Sequence, residues 1–193
     1  MTREKGMLIL ASASPRRQEL LQQIGCDFRV FVSHAEELSE SGVSPEKMAT
    51  ENARRKAEDV ASRDTKGLPV LGADTVVAVD ATILGKPKDE EDAARMLRLL
   101  SGRRHFVYTG VALVYHGATY TSVVQTTVWM DKMSDEEISA YIATGEPMDK
   151  AGAYAVQGIA AKFIPKIEGS FSNVVGLPLH EVKNLARKAG ILL

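Results

Sequence analysis

The chain has 193 residues, and 24 Lys plus Arg against 25 Asp plus Glu leave a formal charge of −1. Hydrophobic residues make up 45% and charged residues 25%, which supports a packed core and excludes global disorder. The near-neutral balance speaks against a general nucleic-acid binder, and the lone Cys26 excludes an internal disulfide framework or a Cys-built zinc site.

The length suits one domain spanning 1–193, or two small lobes sharing one core. The apolar run Met7–Ala11 is too short for a signal-peptide core. No window approaches the roughly 18–20 apolar residues of a membrane span. The expectation is a soluble, cytoplasmic protein that binds neither membrane nor nucleic acid.

Strand-like and helix-like stretches alternate, which predicts α/β architecture. Met7–Ala11 reads as a strand that feeds a helix opened by Ser14 as N-cap and Pro15 at the first helical position. That helix runs to about Gly25. Phe28–Val32 reads as a strand and Ser33–Gly42 as a loop. Ser44-Pro45 repeats the start signal for a helix to about Ser62, with Ala49, Ala53, Ala57 and Val60 at helical spacing. Pro69–Val79 is a nearly continuous apolar strand, central and buried on both faces. Ile83-Leu84 forms a return strand, broken by Gly85-Lys86-Pro87. Asp89–Leu100 is an amphipathic helix closed by Gly102. Phe106–Tyr115 and Thr119–Met130 form a hairpin about His116-Gly117-Ala118. Ser134 and Glu137 make a capping box for a helix ending near Gly145. A glycine-containing polar stretch covers Glu146–Gly158. Ile159–Ile167 reads as a strand and Leu179–Ala189 as the last helix.

Three places concentrate chemistry. In Ser12-Ala13-Ser14-Pro15-Arg16-Arg17 a strand feeds a helix N-terminus, whose free N–H groups and partial positive charge suit an anion. At 100° per residue Arg17 falls within the Leu20, Leu21 and Ile24 stripe, and Arg16 lies at its edge. The plain alternative is a capped helix whose arginines pair with surface acids. Asp74 is the only charge between Pro69 and Val79. A buried carboxylate must be paired or bind metal, so it reads as a general base, a metal ligand, or a structural acid neutralised by an internal Arg or Lys. Lys56 borders the apolar stripe of its helix while Arg55 points away. It is a cleft phosphate ligand or a stem covering apolar surface.

Further candidates are weaker. Lys86 sits on a constrained turn. Glu36-Glu37 could hold a hard cation or form a solvated pair. Gln157, in a small-residue loop, could pair with a base edge. Walker A, G-x-G-x-x-G and G-x-S-x-G sequences are missing, and the four histidines lack metal-ligand spacing. Cys26 has no evident activator and reads as a buried structural thiol. Together these features point to hydrolysis of a phosphate compound with a hard metal ion, and residue-level reading stops there.

The motifs LILASASPRR, GADTVV, GKP, LSGRRH, DKAGAYAVQG and GSFSNVVGLPL, in this order along nearly the whole chain, resemble the Maf family of nucleoside triphosphate pyrophosphatases. The resemblance implies an elongated mixed β-sheet flanked by helices, with two lobes around a deep cleft, related to the inosine triphosphate pyrophosphatases. It implies a homodimer, a divalent cation (Mg²⁺ or Mn²⁺), and conversion of a nucleoside triphosphate to monophosphate and pyrophosphate. Asp74 matches the family's catalytic acid/base. Ser12, Arg16, Arg17, Lys56 and Lys86 match polar substrate-binding positions, and Glu36 an acidic one that, with Asp74, would hold metal. Arg16, Thr75 and Gln157 match the dTTP/UTP subgroup, while the other main subgroup acts on 7-methyl-GTP. Ala155 departs from the glycine frequent at its position. The alternatives are a Maf enzyme with another nucleotide, or a non-catalytic nucleotide-binding regulator of cell division.

Overall fold

The computed structural model describes residues 6–39, 42–63 and 65–193. Among the described residues seven strands form one sheet in the order β2-β1-β3-β5-β6-β7, with β4 paired to β3. The strands are β1 (Leu8–Leu10), β2 (Phe28–Val30), β3 (Val70–Val79), β4 (Thr82–Leu84), β5 (Arg104–Tyr115), β6 (Ala118–Trp129) and β7 (Lys166–Glu168). The sheet is mixed: β1 runs parallel to β2 and β3, whereas β4 is antiparallel to β3 and β7 to β6. The helices are α1 (Pro15–Gln23), α2 (Pro45–Ala61), α3 (Glu90–Leu100), α4 (Asp135–Ile142), α5 (Phe171–Val175) and α6 (Leu179–Lys188). The α/β expectation therefore holds. No helix among the described residues is long and apolar enough to cross a membrane.

The chain divides into two compact units. One comprises Met1–Asp74, Thr109–Val124 and Gly176–Leu193; the other comprises Thr75–Tyr108 and Gln125–Val175. In the first, Ile9, Ala11 and Val70 pack with Ala53, Ala57 and Val60 of α2. In the second, Val77, Val79 and Val107 pack with Met96, Leu97 and Leu100 of α3 and with Ile138 and Tyr141 of α4.

Most local signals act as their chemistry predicts. Ser44 Oγ accepts from Lys47 N (3.3 Å). Both halves of the Ser134/Glu137 capping box form. His116 and Gly117, both at positive φ, make the tight turn between β5 and β6. Cys26 is buried, as expected.

Two expectations change. Ser14 occupies the N-cap of α1 but its side chain makes no capping bond; Ser12 Oγ accepts from Ser14 N instead (3.3 Å). Ile159–Ile167 is not one strand. Ile159–Phe163 winds as a 3₁₀ helix and only Lys166–Glu168 extends. The buried residues there, Ala160 and Phe163, are three apart, the period of a 3₁₀ turn rather than of a strand. Pro165, which lacks a donor for a ladder, then separates the turn from β7.

Candidate active site

The site in the first unit begins where β1 stops. Leu10 pairs with Leu71 of β3, and Ala11 N–H still reaches Leu71 O (2.8 Å). After that the chain turns into α1 while β3 continues, which leaves Asp74 beyond the paired end of β1. The carboxyl ends of parallel strands are where open α/β sheets bind ligands.

Ser12 stands at this exit and is 9% exposed. Its Oγ accepts from Arg17 Nη1 (3.0 Å), and Arg17 Nε donates to the carbonyl of Gly176 (2.8 Å). The half-buried Arg17 guanidinium is thereby aimed from the first turn of α1, as the helical wheel predicts. Desolvation lowers its pKa below the ordinary value, the Asp74 charge opposes that, and Arg16 reinforces it. The group stays cationic, and a poorly hydrated guanidinium is well suited to phosphate oxygens. Arg16 is half-buried beside it.

Helix α2 supplies the next groups. Its stripe of Ala49, Ala53, Ala57 and Val60 is fully buried. On the flank of that stripe, Lys56 Nζ reaches Asp74 Oδ1 at 2.6 Å and Glu37 Oε1 at 2.6 Å. Asp74 itself is 8% exposed. Arg55 turns away to Glu51 (2.9 Å), as expected. The Lys56 pair explains how Asp74's charge is tolerated, which is what a purely structural acid would also need. The second carboxylate on the same nitrogen, with Arg17 close enough to feel both acids, goes further than neutralisation requires.

Of the residues singled out from the sequence, the structure brings Ser12, Arg17, Lys56 and Asp74 together. Of the two adjacent acids, it is Glu37 that reaches Lys56; Glu36 is exposed, and its main-chain carbonyl accepts from Arg55 Nη1 (3.3 Å). Sequence reasoning missed Asn52, a buried amide whose Nδ2 donates to Asp74 Oδ2 (3.2 Å). Its signal was available: it precedes Lys56 by four residues, so both lie on one face of α2.

Lys86, Thr75 and Gln157 belong to the second unit. Lys86 is exposed on its turn and Thr75 is half-buried on β3. Gln157 is exposed at the tip of a loop whose flanks are tied to one pair of side chains. Ala155 N–H donates to Tyr141 Oη (3.2 Å), Tyr141 Oη–H donates to Glu146 Oε1 (2.7 Å), and Ile159 N–H donates to Glu146 Oε2 (3.0 Å). Burial and the Glu146 bond both raise the Tyr141 pKa, so its hydroxyl keeps its proton. Beneath the same unit, His105 and Tyr154 share a buried 2.6 Å bond.

Among the described residues, no cluster of three or more His, Cys, Asp or Glu is placed to hold a metal. Two convergent carboxylates, Asp74 and Glu37, nonetheless fit a hard cation of the Mg²⁺ type. Such ions take one or two carboxylates and complete their shell with substrate phosphates and water.

Fold and site together define a mixed α/β protein in which a helix N-terminus, two arginines and a carboxylate–lysine group lie where β1 ends. The chain belongs to the Maf-like protein family, which it matches over residues 7–189. A dTTP/UTP pyrophosphatase of Methanosarcina barkeri (strain Fusaro / DSM 804) is 51% identical over 187 residues, 95% of this chain and 94% of that one. A dTTP/UTP pyrophosphatase of Geotalea uraniireducens (strain Rf4) is 52% identical over 195 residues, covering both chains fully. The solved nucleoside-triphosphatase / dITP/XTP pyrophosphatase of Mycobacterium abscessus aligns with TM-score 0.43 and 18% identity, over 72% of this chain and 95% of that one, a likeness too distant to carry an argument.

Proposed function

We propose that this protein hydrolyses dTTP and UTP to the monophosphate and pyrophosphate with a divalent cation. The observation that carries the reading is the Asp74–Lys56–Glu37 group beside Arg17 in a chain of this family. Full-length relatives at 51–52% identity that bear the dTTP/UTP pyrophosphatase name support the substrate choice.

Water attacks the α-phosphorus, the bond from that phosphorus to the oxygen bridging to the β-phosphate breaks, and pyrophosphate leaves. Arg16, Arg17, Ser12 and the N-terminus of α1 hold phosphate oxygens, and Lys56 and Lys86 add positive charge. Asp74 takes the proton of the attacking water or holds the cation; Glu37 is the second carboxylate of that set, with Glu36 the neighbouring acid that the resemblance nominates. When bound, Mg²⁺ or Mn²⁺ neutralises charge developing on the leaving group. Thr75 and Gln157 read the base, since polar groups left unpaired by a wrong base discriminate strongly. Arg16 shares that selective role. The protein acts as a cytoplasmic homodimer, a reading that rests on the resemblance and is checked by analytical ultracentrifugation.

The test is pyrophosphate release from dTTP, UTP, CTP, GTP, ATP and 7-methyl-GTP with Mg²⁺ or Mn²⁺. Selective turnover of dTTP and UTP is expected. Turnover of another nucleotide would overturn the substrate choice, and binding without turnover would make the protein a regulator. Asp74→Asn removes both roles of Asp74 and should cut kcat by about 10²-fold or more; near wild-type turnover at saturating metal would refute the site.

A further inference from the structure

Asn52 is 3% exposed in the interior of α2, a position where a polar side chain is disfavoured unless every bond it needs is met. The bonds are met by one backbone unit and one acid. Asn52 Oδ1 accepts from Leu38 N–H at 2.6 Å, and Nδ2 donates to Leu38 C=O at 3.3 Å. The same Nδ2 donates to Asp74 Oδ2 at 3.2 Å. The amide orientation is unambiguous. Swapping O and N would set the NH₂ against the Leu38 N–H and the oxygen against two oxygens.

Leu38 follows Glu37 directly, in a stretch (31–39) that belongs to no strand or helix. At its start Phe31 N–H still reaches Leu10 O of β1 (3.1 Å), and Arg63 Nη1, just past α2, donates to Val32 O (2.9 Å). Nearer the site its ties come from α2: Asp59 Oδ2 accepts from Ser33 Oγ–H and His34 N–H, both at 2.8 Å, and Arg55 reaches Glu36 O. The Asn52 amide thus replaces a strand neighbour for one residue, at the point where the loop must deliver a carboxylate. Its remaining donor holds the Asp74 oxygen that Lys56 does not take.

We propose that Asn52 is a positioning residue: its one amide sets Glu37, through Leu38, and Asp74 in mutual register. The proposal rests on the pyrophosphatase reading above. Groups that orient ligands and bases from behind typically matter about 10- to 100-fold.

The experiment compares wild type, Asn52→Leu and Asn52→Asp by amide hydrogen exchange and by steady-state pyrophosphate release from dTTP. Asn52→Leu keeps the volume and loses all three bonds. The Leu38 amide should exchange at least about tenfold faster while β3 amides keep their protection. In that variant kcat should fall about 10- to 100-fold and KM for dTTP should change less than about threefold, because Ser12, Arg16 and Arg17, which hold the phosphate chain, are set by β1 and α1 rather than by Asn52. A role in packing alone predicts the reverse pattern, with a core leucine tolerated and kcat kept. Asn52→Asp keeps the acceptor under Leu38 N–H but sets a carboxylate against Asp74. It should lose kcat with Leu38 still protected, and it serves as the test should Asn52→Leu not fold. Unchanged Leu38 exchange in Asn52→Leu, or faster exchange with unchanged kcat, would overturn the proposal. A wild type that releases no pyrophosphate from any nucleotide would instead overturn the reaction itself, and the positioning role with it.

Discussion

Gly72→Ala probes how the site is assembled. Gly72 lies on β3 two residues before Asp74, against the backbone of α2. A Cβ there would sit 2.8 Å from Ala57 N and 3.0 Å from Ala57 Cβ, and closer still to Ala53 O. Ordinary contact begins near 3.4 Å, so α2 must retreat by more than half an ångström at Ala57 and further at Ala53. Because the obstacle is helix backbone, no rotamer change relieves it. Overpacking of this kind costs about 2–3 kcal/mol, which for a chain of this size lowers the melting temperature by about 4–12 °C. The larger effect falls on the site. Lys56 and Asn52 ride on α2 and Asp74 rides on β3, so a displacement on the order of 1 Å breaks the register and cuts kcat by about 10²-fold. Gly85→Ala, where nothing lies within 4 Å and φ is not positive, should shift the melting temperature by less than about 2 °C. Thermal unfolding followed by circular dichroism and pyrophosphate release from dTTP are the two assays. A Gly72→Ala protein with wild-type melting temperature and kcat would refute the claim that backbone contact between α2 and β3 sets the site.

Burial pushes the His105 pKa down to about 4, against an unfolded value of about 6.5. The unfolded chain therefore binds a proton that the folded chain refuses, so stability is full above pH 6.5 and falls as pH drops from 6.5 towards 4, by about 3 kcal/mol in all. Urea unfolding between pH 4.5 and 7.5 should show this slope, and the double variant His105→Phe/Tyr154→Phe should flatten it; an unaltered slope would assign it elsewhere. Glu51, held at about 2 by Arg54 and Arg55, loses its contribution mainly below its ordinary 4.5 and so leaves the upper part of the His105 window, above about pH 5, to the histidine. Glu146→Gln places an NH₂ against either the Tyr141 hydroxyl or the Ile159 N–H, both of which donate to the carboxylate in the native protein. It should cost about 1–3 kcal/mol of stability and reduce the preference for UTP over CTP by about 5- to 10-fold. An intact substrate ranking in a destabilised variant would separate the clamp from base selection.

Elements were legible wherever a local signal decides them. Ser-Pro starts, the Ser134/Glu137 box and the alanine stripe of α2 need no knowledge of neighbours. Ile159–Ile167 was misread because a short apolar run fits both a strand and a turn, and only packing chooses between them. In the site, Asp74 was legible as an isolated charge in an apolar strand, and Arg17 and Lys56 through the helical wheel. Glu37 and Asn52 were harder. The choice between two adjacent loop acids is made by the course of a chain segment without regular structure. Asn52 shares a face of α2 with Lys56, but that spacing does not say what the amide touches until Leu38 and Asp74 arrive from sequence positions 14 and 22 residues away.

The small residues of α2 link the fold to the chemistry. Ala49, Ala53 and Ala57 face Gly72 of β3 and Gly110 of β5, where an added Cβ would meet helix backbone first: Ala53 O and Ala57 N over Gly72, and Ala49 O and Thr50 N over Gly110. Such close seating removes the layer of large side chains that ordinarily separates a helix from a sheet. It gains less apolar area than leucines would, so burial alone does not account for it. Reach does. Asparagine has a side chain of only two carbons beyond Cα, yet Asn52 spans to the Asp74 carboxylate on the sheet and to Leu38 on the loop. Lys56, one helical turn on, meets Asp74 and Glu37 from the same face. With bulky residues in the stripe the helix would stand farther from the sheet, and the short amide could no longer reach both partners. The alanine–glycine seam therefore fixes the distance at which the two carboxylates can be held together.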